Sequence, residues 1–239
     1  MNPEADTRLV TIRKANGQKE AFNVEKLRSS LVNSGATDDA AEKVIDHIIA
    51  ELHDGMSTSD IYKHAFEILA GLNQHIAKSY SLRRAVMHIG PTGFPFEKLV
   101  AEVFKEKGYE VTTDQTVMGK CVAHEVDVVA WNEDKLIMCE AKFHNELGTK
   151  SDIKVALYVK ARFDDLKHGT FDYGKPGRKL DQGILITNTK FSSTAIQYGE
   201  CENLTMIGWN YPEKGNLNQM ILESPILLDE IYKHYDPTK

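Results

Sequence analysis

The sequence predicts a mixed α/β protein (fold class α/β) made of two successive parts. In the first ninety residues, one short hairpin precedes segments whose apolar residues recur with the period of helices. From about residue 94, apolar runs of strand length alternate with helical segments, a pattern typical of a sheet covered by helices. The run Gly90-Pro91-Thr92-Gly93-Phe94-Pro95 lies between the two patterns. We therefore expect domains at 7–90 and 94–239.

The first predicted element is a β-hairpin that starts at Ile12 and turns at Gly17. Asn23 is a natural N-cap for the helix that follows, and Gly35 ends that helix. A second helix is predicted from Thr37, a third near Thr58, and a fourth through Tyr80 to about His88.

The spacing hydrophobic-x-Lys-x-x-Gly-x-x-Glu-x-Phe-Asn-x-x-Lys, from Ile12 to Lys26, resembles the ATP-cone domain. Such cones bind ATP or dATP and regulate ribonucleotide reductases and a reductase repressor. The resemblance implies an adenine and ribose side at Ile12, Glu20 and Asn23. It implies phosphate contacts from Arg13, Lys14, Lys26 and Thr58.

The residues themselves support part of this implied site, because ammonium groups from a hairpin and the next helix can bind a triphosphate. The sequence contains no Walker-type Gly-Lys-Ser/Thr loop, so we expect nucleotide sensing rather than hydrolysis. The alternative is that these lysines are exposed surface on a winged or helical DNA-binding module.

The most informative segment of the second part is a predicted antiparallel hairpin. Apolar runs at 124–131 and 136–143 flank the turn residues 132–135. The spacing pairs Trp131 with Leu136, Val129 with Met138, and Asp127 with Glu140. Because side chains alternate between the faces of a strand, Asp127, Glu140 and Lys142 then share one face.

Two carboxylates directly across a strand pair repel each other and require compensation. A divalent cation such as Mg²⁺ (or Mn²⁺) would provide it, because such ions bind one or two carboxylates, water and substrate phosphate. Lys142 would then orient or help to deprotonate the attacking water and offset charge on the phosphate. The alternative is an ordinary exposed hairpin with a Lys-Glu cross-strand pair.

This arrangement is similar to the PD-(D/E)xK nuclease superfamily, and its surroundings resemble the Mrr-like restriction endonucleases. The superfamily's Asp, acidic residue and Lys match Asp127, Glu140 and Lys142, while Val126 replaces the Pro that names the motif. The resemblance covers residues from about 94 to 211. It implies a central mixed sheet flanked by helices, metal ligation by Asp127 and Glu140, and Mg²⁺-dependent hydrolysis of DNA.

A predicted helix from Phe96 to Phe104, ended by Gly108, carries Glu97 in its first turn. Members of the family often place a Glu there, which makes Glu97 a candidate third acidic residue at the metal. The alternative is a solvated Glu favoured by the helix dipole. Farther on, 183–188 is predicted to be a buried strand and 191–198 a helix that Ser192 or Ser193 opens.

Overall charge does not indicate a DNA enzyme, since the formal net charge is -6. Charge is unevenly distributed, however, because residues 142–179 contain nine Lys or Arg and five Asp or Glu. On a helix predicted from Asp152 to His168, Lys154, Tyr158 and Arg162 fall on one face. Lys154 and Arg162 are candidate nucleic-acid contacts, and the alternative is a solvated helix face.

Three widely spaced cysteines, Cys121, Cys139 and Cys201, indicate neither a disulfide framework nor a zinc site. The sequence has no apolar run long enough to cross a membrane and no secretory signal, so we expect a cytoplasmic protein. The tail from Leu217 to Tyr232 is predicted to form amphipathic helices broken at Pro225. These helices are expected to pack on the second domain, although a homo-oligomer contact is an alternative.

The sequence therefore predicts a metal-dependent DNA endonuclease regulated by ATP or dATP. One alternative is a nucleotide-responsive DNA-binding regulator whose nuclease fold is catalytically silent. Another is a nuclease for RNA, or for branched or damaged DNA, because no pattern in the sequence separates these substrates.

Overall fold

The computed structural model describes residues 10–14, 16–89, 96–146, 148–233 and 235–236. Contacts divide the described chain into one unit that ends at Arg83, together with Asp236, and a second unit from Arg84 to Tyr235. The predicted boundary segment, Gly90 to Pro95, lies outside the described residues.

The first unit contains the predicted hairpin and helices. Strands β1 and β2 pair antiparallel with Ile12 opposite Glu20. The elements are β1 (Thr11–Arg13), β2 (Lys19–Ala21), α1 (Val24–Asn33), α2 (Asp38–Glu51), α3 (Thr58–Leu72) and α4 (Gln74–Ile89), the last of which continues past the end of the unit.

Local signals in the sequence explain where these elements start. Gly17 has a φ of 81° at the hairpin turn, a conformation that glycine adopts without steric cost. Asn23 caps α1 by accepting from the backbone N–H of Lys26, and Thr37 caps α2 in the same way. Ser57 caps α3 through a capping box with Asp60, and α3 begins at Thr58, near which the third helix was predicted to open.

The second unit is built around a sheet. Its helices are α5 (Phe96–Glu106), α6 (Ile153–Leu166), α7 (Ser193–Cys201), α8 (Leu217–Leu222) and α9 (Pro225–Lys233). Its strands are β3 (Glu110–Met118), β4 (Ala123–Trp131), β5 (Leu136–Lys142), β6 (Lys150–Ser151), β7 (Gln182–Thr187), β8 (Lys190–Phe191) and β9 (Thr205–Ile207).

Five of these strands form one mixed sheet in the order β3-β4-β5-β7-β9. Strands β3, β4 and β5 pair antiparallel, while β5, β7 and β9 pair parallel. Strands β6 and β8 form a separate two-residue parallel ladder. The predicted mixed sheet flanked by helices is therefore confirmed.

The core of the second unit forms where helix α6 packs on the sheet. Val129, Met138 and Leu185 from three central strands lie in one buried cluster with Val159 and Phe163 of α6. Gly183 makes this contact possible, because a Cβ at that position would lie 2.4 Å from the Phe163 ring. A separate cluster of buried side chains forms the core of the first unit.

Cys121, Cys139 and Cys201 are free thiols, and of these only Cys139 is buried. Among the described residues, none of the helices combines the length and the apolar character needed to span a bilayer.

Candidate active site and nucleotide site

The β4–β5 hairpin places the predicted carboxylates. Its ladder contains the predicted pairs Trp131–Leu136 and Val129–Met138 and ends at Val128–Cys139. Beyond that point the carboxylate Oδ2 of Asp127 accepts a hydrogen bond of 2.7 Å from the backbone N–H of Ala141. At this position a side-chain hydrogen bond of Asp127 connects the two strands. The expected backbone pairing of Asp127 with Glu140 is not part of the ladder.

Asp127 and Glu140 are half-buried and electrostatically coupled. Burial is the main cause that raises the pKa of Asp127, and the hydrogen bond from Ala141 offsets part of this rise. Burial also raises the pKa of Glu140, and the negative charge of Asp127 raises it further. Lys142 lowers the pKa of Glu140, so the sheet brings the three predicted residues together.

Glu97 lies in the first turn of α5, where the sequence placed it. It is half-buried, and its charge adds to the rise in the pKa of Asp127. A third acidic side chain therefore lies near Asp127.

Arg162 differs from the expectation of an exposed charged stripe on α6. Its side chain is only 10% exposed, and its Nη1 donates to Oε2 of Glu140. The same nitrogen donates to the carbonyl oxygen of Glu125 at 2.9 Å, and the guanidinium lies 4.7 Å from the centre of the Tyr158 ring. Arg162 is buried because helix α6 packs on the sheet and the negative charge of Glu140 attracts its guanidinium.

The remaining predicted basic residues are exposed. Lys142 ends β5 and is paired in the ladder with Thr187 of β7. Lys154 lies in the first turn of α6, after the N-cap Asp152. Lys154 and Arg162 share a helix face as predicted, but only Lys154 is presented to solvent.

Asp114 is a neighbour of the site that the sequence analysis did not identify. It is an exposed residue of β3 with a φ of 55°, and its charge contributes to the raised pKa of Asp127. The β3–β4 register places it level with Asp127, between the pairs Thr113–Val128 and Gln115–Val126. The β-branched residues of β3 favour a strand, but polar residues over much of its length weaken the alternation that would have identified it.

The residues present fit a hard divalent cation of the type that retains water ligands. Within the described residues, no group of three or more His, Cys, Asp or Glu side chains is arranged to enclose a metal ion. Asp127 and Glu140 instead form a two-carboxylate pair, and burial raises the pKa of both even though Arg162 is paired with Glu140. Magnesium is commonly bound by one or two carboxylates, with water and phosphate oxygens completing its coordination.

The first unit contains a cavity of about 260 Å³ that three predicted nucleotide-binding residues line. These are Arg13 and Lys14 at the end of β1 and Thr58 at the start of α3. Gly17, Ser57 and Ser59 complete the lining and were not predicted as ligands. Three lining residues, Ser57, Thr58 and Ser59, lie at the N-terminus of α3, where the positive end of the helix dipole favours an anion.

Glu20 and Lys26 belong to a charged cluster that is joined to this cavity through Lys14. Oε2 of Glu20 lies 2.8 Å from Nζ of Lys14 and 3.4 Å from Nζ of Lys26. The hydrogen bond from Lys14 is the main cause that lowers the pKa of Glu20.

The two other predicted adenine-side residues have structural roles. Ile12 is buried in the core of the unit, and the side chain of Asn23 caps α1. Neither residue is among those that line the cavity.

Comparison with known proteins gives two family matches. Residues 10–88 match the ATP cone domain, and residues 91–210 match a family described as restriction endonuclease. A protein of Archaeoglobus fulgidus, described as uncharacterised, is 39% identical over 126 residues, which are 52% of this chain and 66% of that protein.

Two solved structures are also similar to the chain. A crystal structure of a protein of unknown function has 37% sequence identity and a TM-score of 0.46, over 53% of this chain and 64% of that one. Can2 from Sulfobacillus thermosulfidooxidans, in complex with cyclic tetra-adenylate, has 12% identity and a TM-score of 0.36, over 87% of this chain and 64% of that one. The chain thus spans slightly under two thirds of the length of these relatives. On the two family matches, it belongs to the restriction endonuclease family and carries an ATP cone domain ahead of its restriction endonuclease domain.

Proposed function

We propose that this protein is a metal-dependent endonuclease that hydrolyses phosphodiester bonds in DNA and is regulated by ATP or dATP. The observation that carries the proposal is the pair of half-buried carboxylates, Asp127 and Glu140, whose pKa values are both raised, beside the exposed Lys142. Carboxylates with perturbed pKa values beside a lysine are typical of functional sites, and they support the proposal on a chain that matches a restriction endonuclease family.

Asp127 and Glu140 are the residues that would hold Mg²⁺ or Mn²⁺, with Glu97 as a third acidic group. A bound ion of this kind lowers the pKa of a water ligand and polarises the phosphate. The hydrogen bond from Ala141 holds the Asp127 carboxylate in one orientation, which reduces the rearrangement needed on binding.

Lys142 is the proposed catalytic cation. It is exposed at the end of β5, two residues after Glu140, and can reach the phosphate from the solvent side. There its ammonium group would orient the attacking water and offset the charge that develops on the phosphate oxygens.

Arg162 is a proposed positioning residue rather than a catalytic one. It holds Glu140 from α6 while its other contacts, with Glu125 and Tyr158, fix the guanidinium itself. Its charge also lowers the pKa of Glu140, which keeps this predicted ligand ionised at lower pH.

The proposed regulatory ligand binds in the cavity of the first unit. Lys14, Arg13 and the N-terminus of α3 would hold the phosphates, since they combine cationic side chains with backbone N–H groups. The nucleotide would regulate cleavage only if it binds the active and inactive states with different affinities.

Nicking of supercoiled DNA by the purified full chain in Mg²⁺, with and without ATP or dATP, tests the proposal. We expect nicking by the unaltered chain, loss of nicking in Asp127→Ala and Lys142→Ala, and a change in rate with nucleotide. Nicking that persists unchanged in both variants would overturn the proposed site. DNA binding without nicking would instead identify a silent nuclease fold.

A further inference from the structure

We infer that the short β6–β8 ladder is a clamp for the DNA backbone, with Lys150 and Lys190 as its phosphate contacts. The inference rests on the proposed nuclease function and identifies the surface that holds the substrate of that site. Neither lysine was among the nucleic-acid contacts predicted from the sequence.

The ladder places two like charges side by side. Lys150 of β6 and Lys190 of β8 are directly paired in the parallel register, and both are exposed. The next pair, Ser151 and Phe191, is buried, so the alternation directs both lysines to solvent on the same face. Like charges at paired positions destabilise a ladder, and an anion bound to both lysines reverses that cost.

No carboxylate compensates these lysines among the residues that the structure describes. Other basic residues of the same region are paired, since Lys160 contacts Asp164 at 2.6 Å and Arg162 contacts Glu140. Lys150 and Lys190 take part in no ion pair of the described chain, and the same is true of the exposed Lys142 and Lys154. Of the basic stretch predicted at 142–179, Lys142, Lys150 and Lys154 are thus exposed without an ion pair among the described residues, and Lys190 adds a further such charge beside Lys150.

The ladder is fixed beside the proposed active site. Lys142, at the end of β5, is paired with Thr187 at the end of β7, and β8 starts three residues after Thr187. The hydroxyl of Ser151 in β6 lies 2.8 Å from Nε2 of His144 and 3.5 Å from Oγ1 of Thr187.

A backbone hydrogen bond links the ladder to Ser192, the N-cap of α7. The N–H of Ser192 donates to the carbonyl oxygen of Ser151 at 3.0 Å. Both lysines are therefore held at the carboxyl ends of the parallel strands β5 and β7, the edge where ligands of such sheets bind.

The chemistry of two adjacent ammonium groups suits consecutive phosphates of a nucleic acid strand. Lysine contacts a phosphate as a point charge and reads no base, so the clamp would position DNA of any sequence. Its function is to set the register of the backbone over Asp127, Glu140 and Lys142.

Fluorescence anisotropy with a labelled DNA duplex, in EDTA and over a series of NaCl concentrations, tests this inference. The test variant is Lys150→Ala combined with Lys190→Ala in the full chain. The matched control removes two exposed lysines, Lys135→Ala and Lys175→Ala, near the β4–β5 turn at the opposite end of the sheet.

The binding constant K falls as NaCl rises, and each phosphate contact adds about 0.9 to the steepness of log K against log[NaCl]. We expect this plot to be less steep by about 1.8 for the test variant, because two contacts are removed. The control should keep the slope of the unaltered chain, and Lys150→Arg with Lys190→Arg should largely restore it. A test variant that folds, shown by circular dichroism, and keeps both slope and affinity would overturn the clamp while leaving the proposed nuclease chemistry standing. An unaltered chain that binds single-stranded RNA but not the duplex would overturn it as well.

Discussion

The carboxylate Oδ2 of Asp127 on β4 accepts a hydrogen bond of 2.7 Å from the backbone N–H of Ala141 on β5. Ala141 lies between Glu140 and Lys142, so this one bond aligns the three proposed functional side chains across two strands. Burial disfavours the charged form of Asp127, and this hydrogen bond offsets only part of that cost. The active site is thus expected to cost stability in the absence of a cation.

The first prediction concerns Asp127→Asn, which keeps an acceptor for the Ala141 N–H but removes the charge. Because burial raises the folded pKa of Asp127 above its unfolded value, the protonated form stabilises the fold, and this stabilisation is lost as pH rises through the folded pKa. At neutral pH in EDTA, the variant should therefore have a higher free energy of unfolding than the unaltered chain. Urea denaturation from neutral pH downward measures this difference.

The stability gain of Asp127→Asn should shrink as the pH falls through the raised folded pKa and should vanish below about 3.9, the ordinary pKa of an aspartate, because both proteins then carry a neutral side chain. The variant should also lose cleavage. A variant that is less stable at neutral pH would show that the ionised carboxylate supports the fold, contrary to this account.

The second prediction concerns Lys142→Ala. Since Lys142 is exposed at the end of β5, its removal should leave the fold intact and lower the single-turnover cleavage rate by about 10²–10⁴-fold, as expected for a lost catalytic group. Lys135→Ala is the matched control, because it removes the same charge just before the start of the same strand. Equal rates for the two variants would exclude a catalytic role for Lys142.

The third prediction concerns the positioning role of Arg162. Arg162→Lys keeps the charge but loses the simultaneous contacts with Glu140, Glu125 and Tyr158, so metal affinity should fall roughly 10–100-fold. Isothermal titration with Mn²⁺ measures this loss without reference to activity.

Arg162→Ala adds a test by pH. Without the guanidinium the pKa of Glu140 rises further. The pH below which the protein loses metal affinity should therefore be higher in this variant. Arg162→Lys should move it less. If Arg162 only supported the fold, its removal would weaken metal binding equally at every pH. That result would contradict the proposed role of Arg162 in keeping Glu140 ionised and in place.

The fourth prediction concerns nucleotide binding. Lys14 lines the cavity and is paired with Glu20. A hydrogen bond from its ammonium group to a phosphate of the nucleotide would contribute about 1.5–3 kcal/mol to binding. Lys14→Ala should therefore weaken ATP binding by roughly tenfold or more. Lys43→Ala, on α2 and paired with Asp39, is the control and should bind ATP normally. Calorimetry that finds equal affinities would place the nucleotide elsewhere.

The fold was predictable where local signals and tertiary packing agree. Asn23 was predicted as a cap, Thr37 as a helix start, and Ser192 or Ser193 as the opening of a later helix, because each side chain can accept from the first turn of a helix. The observed caps are Asn23, Thr37 and Ser192. The β4–β5 register followed from a four-residue turn and period-two alternation, which fix which residues lie opposite each other.

Features that depend on contacts between distant segments were not predictable in the same way. Strand β3 carries polar residues over much of its length, so its alternation is weak and Asp114 was missed. Arg162 was expected on an exposed face because helix periodicity gives no information about a carboxylate on β5, twenty-two residues away. The β6–β8 ladder is two residues long on each strand, too short for any periodic signal.

The central claim is that Asp127 and Glu140 form a metal centre that cuts DNA. Its most direct test is single-turnover nicking of supercoiled DNA as a function of Mg²⁺ concentration, for the unaltered chain and for Glu140→Gln. We expect the nicking rate of the unaltered chain to saturate with Mg²⁺ and to be zero in EDTA. The variant should require a Mg²⁺ concentration at least roughly tenfold higher, or should not nick at all. Nicking in EDTA, or coincident curves for the two proteins, would contradict the account.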